Sequence, residues 1–387
     1  MNILFYLSRF PGYGGIETVT EIIGNRLVSD NHQITILSHV RQERDSALMP
    51  RSTYYLMPDV GKWDTIENEI FAINLVKNNS FDIIIVQDSY APFERIVELM
   101  KASLPPKGRL VVFEHSTPLY KQKILQNSYK ASIPQEIYRR LYSWPKQLSS
   151  SRKRHKKMLY MADAYVVLSD SYVDELKTVC GKKWSERYSN KIYVINNPIK
   201  DDTDSPSVDN KENIILFVGQ INENKRIGFM LDAWEIISKD YPEWFFYIIG
   251  EGPQLNELKQ RANSKNISNV FFGGFQKPDD YYKKAKLFWM ASGYEGWPLT
   301  IIESMKYGCV PIVTGSFSSI YDIIEDGRDG SIVKDNDLDA FVAATISKMQ
   351  NEGIRLQLSE GARDKIKKFD DRVIYGKWKQ LLSSLVK

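Results

Sequence analysis

Residues 214–226 read IILFVGQINENKR. Five apolar residues run from Ile214 to Val218 without polar alternation, the pattern of a strand covered on both faces. Gly219 stops the run, and a polar turn leads into 227–239, where apolar residues recur at helical spacing. The same unit repeats downstream, with strands over 244–250, 270–273, 286–290 and 310–313 and helices over 254–262, 278–284 and 298–307. A strand followed by a helix and then another strand requires parallel sheets with right-handed crossovers. The fold class is α/β.

Working back from 214, the stretch 196–212 is polar and turn-rich, with Asn196, Asn197 and Pro198 at its start, and reads as a linker. Before it the alternation is present again: strands over 2–7, 33–38, 81–87, 110–114, 164–169 and 191–195, helices over 16–28, 65–77, 92–101 and 171–179. The last segments, 338–350 and 373–386, read as helices. A chain of 387 residues is long enough for two such domains. Two doubly wound sheets joined by a linker place the expected ligand cleft at the carboxyl ends of their strands.

Composition narrows the function classes. With 43% apolar and 26% charged residues the chain is globular. The two cysteines, Cys180 and Cys309, exclude a disulfide-stapled scaffold and a thiolate metal cluster. The apolar start is stopped by Ser8 and Arg9, and no stretch approaches 18 apolar residues, so a cytoplasmic location is expected. Charge is uneven: 27 Lys and Arg face 20 Asp and Glu in 1–197, against 25 and 28 in 198–387. Residues 121–160 hold eleven basic side chains, Arg152, Lys153, Arg154, Lys156 and Lys157 among them, with Glu136 the one acid. Tyr129, Tyr138, Tyr142 and Trp144 lie between these cations. Such a surface attracts phosphate on a lipid headgroup, a diphosphate-linked substrate or a nucleic acid. The expectation taken forward is an anionic membrane surface on the inner face of the cell membrane. No nucleic acid is expected, because the cations form no recognition motif.

Four strand-end motifs carry chemistry. Gly12-Tyr13-Gly14-Gly15 follows the first strand and opens a helix, where backbone N–H groups and the helix dipole favour an anion. Lys225 and Arg226 follow Gly219 and Gln220 at a helix start, a poor place for cations unless an anion lies between; a solvated lysine is the competing reading. Gly250-Glu251-Gly252-Pro253 reads first as fold punctuation. Finally, Glu295-Gly296-Trp297-Pro298-Leu299-Thr300 leads to Glu303, so two carboxylates flank the free N–H groups of a first helical turn. Hydroxyls at both ends and phosphates between them describe a nucleotide sugar. The Asp pairs at 201–202 and 279–280 read as solvated turns and not as a metal site.

In order and spacing, Gly14-Gly15-x-Glu17, Gly219 with Lys225, Gly250-Glu251-Gly252-Pro253, Glu295 with Glu303 and Gly308-Cys309-Val310-Pro311 resemble the family-4 retaining glycosyltransferases of the GT-B fold. The likeness is tight over 214–333 and loose before it. It implies an acceptor-binding domain over 1–197, a donor-binding domain over 198–369, and residues 370–387 packed back on the first. It further implies transfer of a sugar with no metal and no cofactor, from a UDP-sugar, to a glycan or lipid-linked acceptor in cell-surface polysaccharide synthesis. By position, Glu303 would accept from the donor ribose, and Glu295 with the amides of Gly296–Leu299 would hold sugar hydroxyls and phosphate. Lys225 would neutralise the leaving diphosphate with Gly14 and Gly15, and His115 would contact the sugar. Gln220 stands where the family usually has arginine, and Arg226 is the cation available to compensate. Two alternatives remain: an epimerase or sugar-phosphate synthase on the same fold, and a nucleic-acid-binding protein.

Overall fold

The structure, a computed structural model, describes residues 1–42, 49–87, 93–126, 139–200 and 211–386. They form two compact units, the first holding the N-terminal sheet and the C-terminal helix, the second the sheet that follows the linker.

In the first unit, β1 (Asn2–Arg9), β2 (Gln33–Val40), β3 (Ser52–Leu56), β4 (Ile83–Val86), β5 (Arg109–Glu114), β6 (Ala164–Val167) and β7 (Ile192–Val194) lie in the order 3-2-1-4-5-6-7, every pair parallel. Ile83–Val86 is buried throughout because helices cover both faces of the central strands. The helices used below are α1 (Gly15–Ser29), α2 (Ile66–Asn79), α3 (Glu94–Ser103), α4 (Tyr120–Gln126), α5 (Trp144–Met161), α6 (Asp170–Cys180) and α7 (Lys182–Arg187).

In the second unit, β8 (Glu212–Val218), β9 (Phe245–Ile249), β10 (Val270–Gly274), β11 (Ala285–Met290), β12 (Val310–Thr314) and β13 (Ser331–Val333) lie in the order 10-9-8-11-12-13, also all parallel. Its helices are α8 (Ile227–Ile237), α9 (Leu255–Ser264), α10 (Asp279–Lys284), α11 (Leu299–Lys306), α12 (Ile320–Ile323), α13 (Leu338–Gln350) and α14 (Glu352–Ile366). Aromatic rings fill the core: Phe246 lies 4.9 Å and Phe341 5.1 Å from Trp289, centroid to centroid. Each ring buried this way contributes a few kcal/mol.

The chain then returns to the first unit as α15 (Asp371–Leu385). Asp371 takes both arms of the Arg26 guanidinium at 2.7 and 3.1 Å, Trp378 packs edge-on against Phe113, and Tyr375 donates to Asp30 at 2.8 Å.

Seven elements fall outside the expected strands and helices: β3, β13, α4, α5, α7, α12 and α14. Strands β3 and β13 are short sheet edges, and β3 is half exposed, so neither shows a buried apolar run. Helix α14 carries Gly353 and Gly361, which weaken its helical signature. Gly361 is there for packing: a Cβ on it would lie 2.1 Å from the carbonyl oxygen of Arg328. Of the expected linker, 201–210 lie outside the described residues, and β8 begins at Glu212.

In both sheets the strand order reverses beside the first strand, between β1 and β4 and between β8 and β11. Ligands of open parallel sheets bind at the carboxyl ends of strands at such a reversal.

Candidate active site

In the second unit the reversal brings together the loop after β8 and the loop after β11. Asn222 caps the short turn Glu223–Lys225, its side chain accepting from the Lys225 amide at 3.2 Å. Asn224 then clasps the other loop. Its Nδ2 donates to the Tyr294 carbonyl at 2.9 Å, its Oδ1 accepts from the Tyr294 amide at 3.1 Å, and its own carbonyl accepts from the Gly293 amide at 2.8 Å. This clasp sets Lys225 Nζ 2.5 Å from Glu295 Oε1, with both side chains more than four-fifths buried. The two residues thus form one ion pair. Asn224 is a site residue that the sequence reading missed; its only signal is its place beside Lys225.

Past Glu295 the chain turns into α11. The Ser319 hydroxyl bonds the Gly296 carbonyl at 2.9 Å, and Trp297 is buried edge-on to Phe369 at 5.2 Å. Pro298 is extended, and α11 starts at Leu299, so the amides of Leu299 and Thr300 have no intrahelical acceptor. Glu303 stands one turn further on, where its Oε2 accepts from the Tyr282 hydroxyl at 3.0 Å. Burial raises the Glu303 pKa; the Tyr282 bond opposes the rise and the Asp279 charge adds to it. Asp279 itself accepts from Tyr307 at 2.8 Å in the first turn of α10. The pair at 279–280 is therefore occupied by protein contacts, and its counterpart at 201–202 lies outside the described residues. Among the described residues no group of three His, Cys, Asp or Glu side chains is arranged to hold a metal ion.

Four of the residues expected at the donor have partners within the second unit. The Arg226 guanidinium bonds Asp335 at 2.7 Å and Asn336 at 3.4 Å. The amides of Gly219 and Gly250 donate to the carbonyls of Ile249 and Gly274 at 3.0 and 2.8 Å, so they are spent inside the sheet. Gln220 is exposed and accepts from Asn222 at 3.0 Å.

In the first unit, α1 begins at Gly15 with Gly14 as its cap. The Glu17 carboxylate occupies the space beside Gly12 and Gly14 and accepts from Arg9 Nε at 2.7 Å. The turn therefore holds an ion pair of its own beside the helix N-terminus. At the ends of β4 and β5, Gln87 Oε1 lies 2.8 Å from His115 Nε2. Burial depresses the His115 pKa to about 3 against an opposing push from Glu114, so the ring is neutral at physiological pH.

The basic stretch divides. Arg154 is buried, not on the surface: it lies 3.5 Å from Glu114 and 2.8 Å from His155, where Tyr165 also donates to Glu114 at 3.0 Å. It faces inward because it neutralises the carboxylate of Glu114, the last residue of β5. Arg152 and Lys153 are exposed; Lys157 pairs with Glu98 at 3.1 Å, and Lys156 lies over the Trp184 ring at 4.9 Å. Leu141 and Tyr142 are exposed just before α5. Tyr129, Lys130 and Tyr138 lie outside the described residues. No helix among the described residues is long and apolar enough to cross a membrane.

Comparison with known proteins gives a concordant result. The model of Glycosyltransferase Family 4 matches residues 13–203, and that of Glycosyl transferases group 1 matches 199–365. A Campylobacter jejuni GalNAc-alpha-(1->4)-GalNAc-alpha-(1->3)-diNAcBac-PP-undecaprenol alpha-1,4-N-acetyl-D-galactosaminyltransferase is 28% identical over 404 residues, spanning 100% of this chain and 99% of its own. Among solved structures, the lipopolysaccharide outer core galactosyltransferase WaaB superposes with a TM-score of 0.71 at 19% identity over 99% of each chain. Anabaena Alr3699/HepE in complex with UDP and glucose superposes with a TM-score of 0.73 at 14% identity, over 99% of this chain and 100% of that one.

Proposed function

This chain belongs to the family-4 glycosyltransferases of the GT-B fold, and we propose that it moves a sugar from a UDP-sugar to a lipid-diphosphate-linked glycan with retention at the anomeric carbon. The observation that carries this reading is the Lys225–Glu295 pair, 2.5 Å apart at the β8/β11 reversal and followed directly by the amides that open α11. A cation and free N–H groups suit the diphosphate. Glu295 is an acceptor for sugar hydroxyls, and Glu303 an acceptor for the ribose.

As the anomeric C–O bond breaks, negative charge builds on the departing diphosphate. Lys225 and the first-turn amides of α11 stabilise that charge from fixed positions, and such preorganised donors supply much of the catalysis in reactions of this type. The acceptor hydroxyl attacks on the face the diphosphate leaves and passes its proton to the leaving phosphate oxygen, which gives retention without a protein nucleophile.

The acceptor reading rests on the Campylobacter relative, whose name describes a PP-undecaprenol-linked glycan, and on the exposed Leu141, Tyr142, Lys146, Arg152 and Lys153. Apolar side chains beside cations suit an anionic bilayer surface. The chain would then work peripherally on the inner face of the membrane.

A thermal-shift panel of UDP, GDP, ADP and TDP tests the donor: UDP should raise the melting temperature most, and no response to any of them would overturn the reading. Sedimentation with liposomes tests the surface, and equal recovery with neutral and anionic vesicles would retire it.

A further inference from the structure

The first sheet has a pocket at its β3 edge, built from that unit alone. Two backbone bonds carry the pairing of β1 and β2 past the strand ends: the Phe10 amide donates to the Val40 carbonyl at 2.9 Å, and the Gln42 amide to the Pro11 carbonyl at 3.1 Å. Phe10 and Pro11 are thereby fixed beside the carboxyl ends of β2 and β3, where Phe10 stacks on Tyr54 at 6.0 Å and 11°. With Tyr55 and Leu56 they line a cavity of about 240 Å³. No strand lies beyond β3, and Leu56 is 44% exposed there. Ser38 is also in the lining, but its hydroxyl proton is spent on the Phe10 carbonyl at 3.2 Å. Arg41, exposed just past β2, is the one charged side chain of the lining among the described residues. The cavity is therefore apolar inside and cationic at its mouth.

We propose that this pocket takes the first two isoprene units of a polyprenyl diphosphate, with Arg41 on the diphosphate. The inference rests on the lipid-linked acceptor reading above and names where the lipid part of that acceptor sits. Size supports it: a dry cavity of about 150 Å³ holds the six carbons of benzene, so this one has room for roughly ten carbons. Chemistry supports it as well. A sugar ring would bury hydroxyls against rings and a leucine that offer them no partners, which is costly, whereas a prenyl chain has none to satisfy. A guanidinium suits the planar pairing that phosphate oxygens accept. Position agrees too. Helix α5 leads into the parallel strand β6, so it runs back from the carboxyl ends, and Leu141 and Tyr142 before it stand at the same end of the sheet as the pocket. A bilayer touching those side chains would meet the pocket about 20 Å away across the strands.

Titration calorimetry of the full chain tests this, with geranyl diphosphate, geraniol and inorganic diphosphate as probes and UDP kept at saturation so that the donor site cannot take the diphosphate. Geranyl diphosphate carries ten carbons and should bind roughly tenfold or more tighter than inorganic diphosphate, through the apolar surface it buries. Arg41→Ala should weaken geranyl diphosphate about tenfold and leave geraniol unchanged, as expected when a charged hydrogen bond is lost. Leu56→Asp puts a carboxylate at an exposed position of the lining and should weaken both prenyl probes. Neither variant should change the thermal shift with UDP. Inorganic diphosphate binding as tightly as geranyl diphosphate, or geranyl diphosphate binding Leu56→Asp as it binds the wild type, would overturn the proposal. Should Leu56→Asp fail to fold, Arg41→Ala carries the test through the ratio of geranyl diphosphate to geraniol affinity, and an unchanged ratio would overturn it. Failure of the functional reading looks different: the wild type would not respond to UDP, whatever the prenyl probes do.

Discussion

Two glycine turns that look alike as sequence do opposite work in the two units. Gly250, after β9, has φ +145, and a Cβ there would lie 1.9 Å from the carbonyl oxygen of Gly219. Its neighbour is backbone, which cannot step aside. Gly14, before α1, is extended at φ 178, and a Cβ there would meet the tip of the Glu17 side chain, which can turn away. The second unit therefore uses glycine to press two strand-end loops together, and that packing shapes the turn from which Lys225 reaches Glu295. In the first unit the glycines leave room for a side-chain ion pair. The same contrast runs through the chemistry. The second unit's reversal buries the pair of Lys225 and Glu295, whereas the first has a neutral relay of Thr20, Gln87 and His115 besides its Arg9–Glu17 pair.

The largest expected effect comes from breaking the backbone contact. Gly250→Ala adds left-handed strain to overpacking, together about 3–6 kcal/mol, and should unfold the second unit or cut its stability by that amount in urea titration. Gly14→Ala should cost about 1 kcal/mol or less, since only a flexible carboxylate must move. Equal losses in the two variants would erase the distinction drawn above.

Lys225→Ala comes next. Losing one preorganised donor to a departing charge typically costs 10²–10³-fold, about 3–4 kcal/mol, and this loss should appear in kcat of UDP-sugar turnover. His115→Ala, which removes a neutral contact, should cost roughly tenfold. A reversed order would mean the charged unit does not stabilise the leaving group.

Acid should then separate the units. All four histidines precede residue 156, so the second sheet has none. Burial depresses His39 to about 4 and His155 to about 3, while the unfolded chain takes protons near the ordinary 6.5. Their stability is present above 6.5 and is lost as pH falls from there toward those values. Each costs about 1.4 kcal/mol per pH unit within that window. Hydrogen exchange between pH 7 and 5 should show β1–β7 losing protection before β8–β13; the opposite order would contradict the assignment.

The smallest effect has two signs. Burial raises the Glu303 pKa, so the folded unit prefers the protonated form and keeping the carboxylate charged costs stability above that raised value. Glu303→Gln retains an oxygen for Tyr282 and should gain about 1 kcal/mol at pH 8, a few degrees in Tm. The gain should vanish below the ordinary 4.5. UDP affinity should fall about tenfold in the same variant, as expected when a charged acceptor is lost. A variant that gains stability without losing UDP affinity would remove Glu303 from the ribose.

The sequence by itself determined the α/β class, the positions of the buried strands and the strand-end motifs, because a strand covered on both faces must be apolar throughout and because glycine and proline are needed wherever the backbone turns sharply. Resemblance to a known family supplied the kind of chemistry. Which side chains meet was decided only by the tertiary structure. That Arg154 turns inward to Glu114, that Arg226 is taken by Asp335, that Asn224 clasps the 293–294 loop and that Gln87 stands behind His115 all depend on partners 28 to 109 positions away along the chain. A hydrogen bond is fixed by a few tenths of an ångström between groups the fold brings together, and no local pattern of residues records that distance.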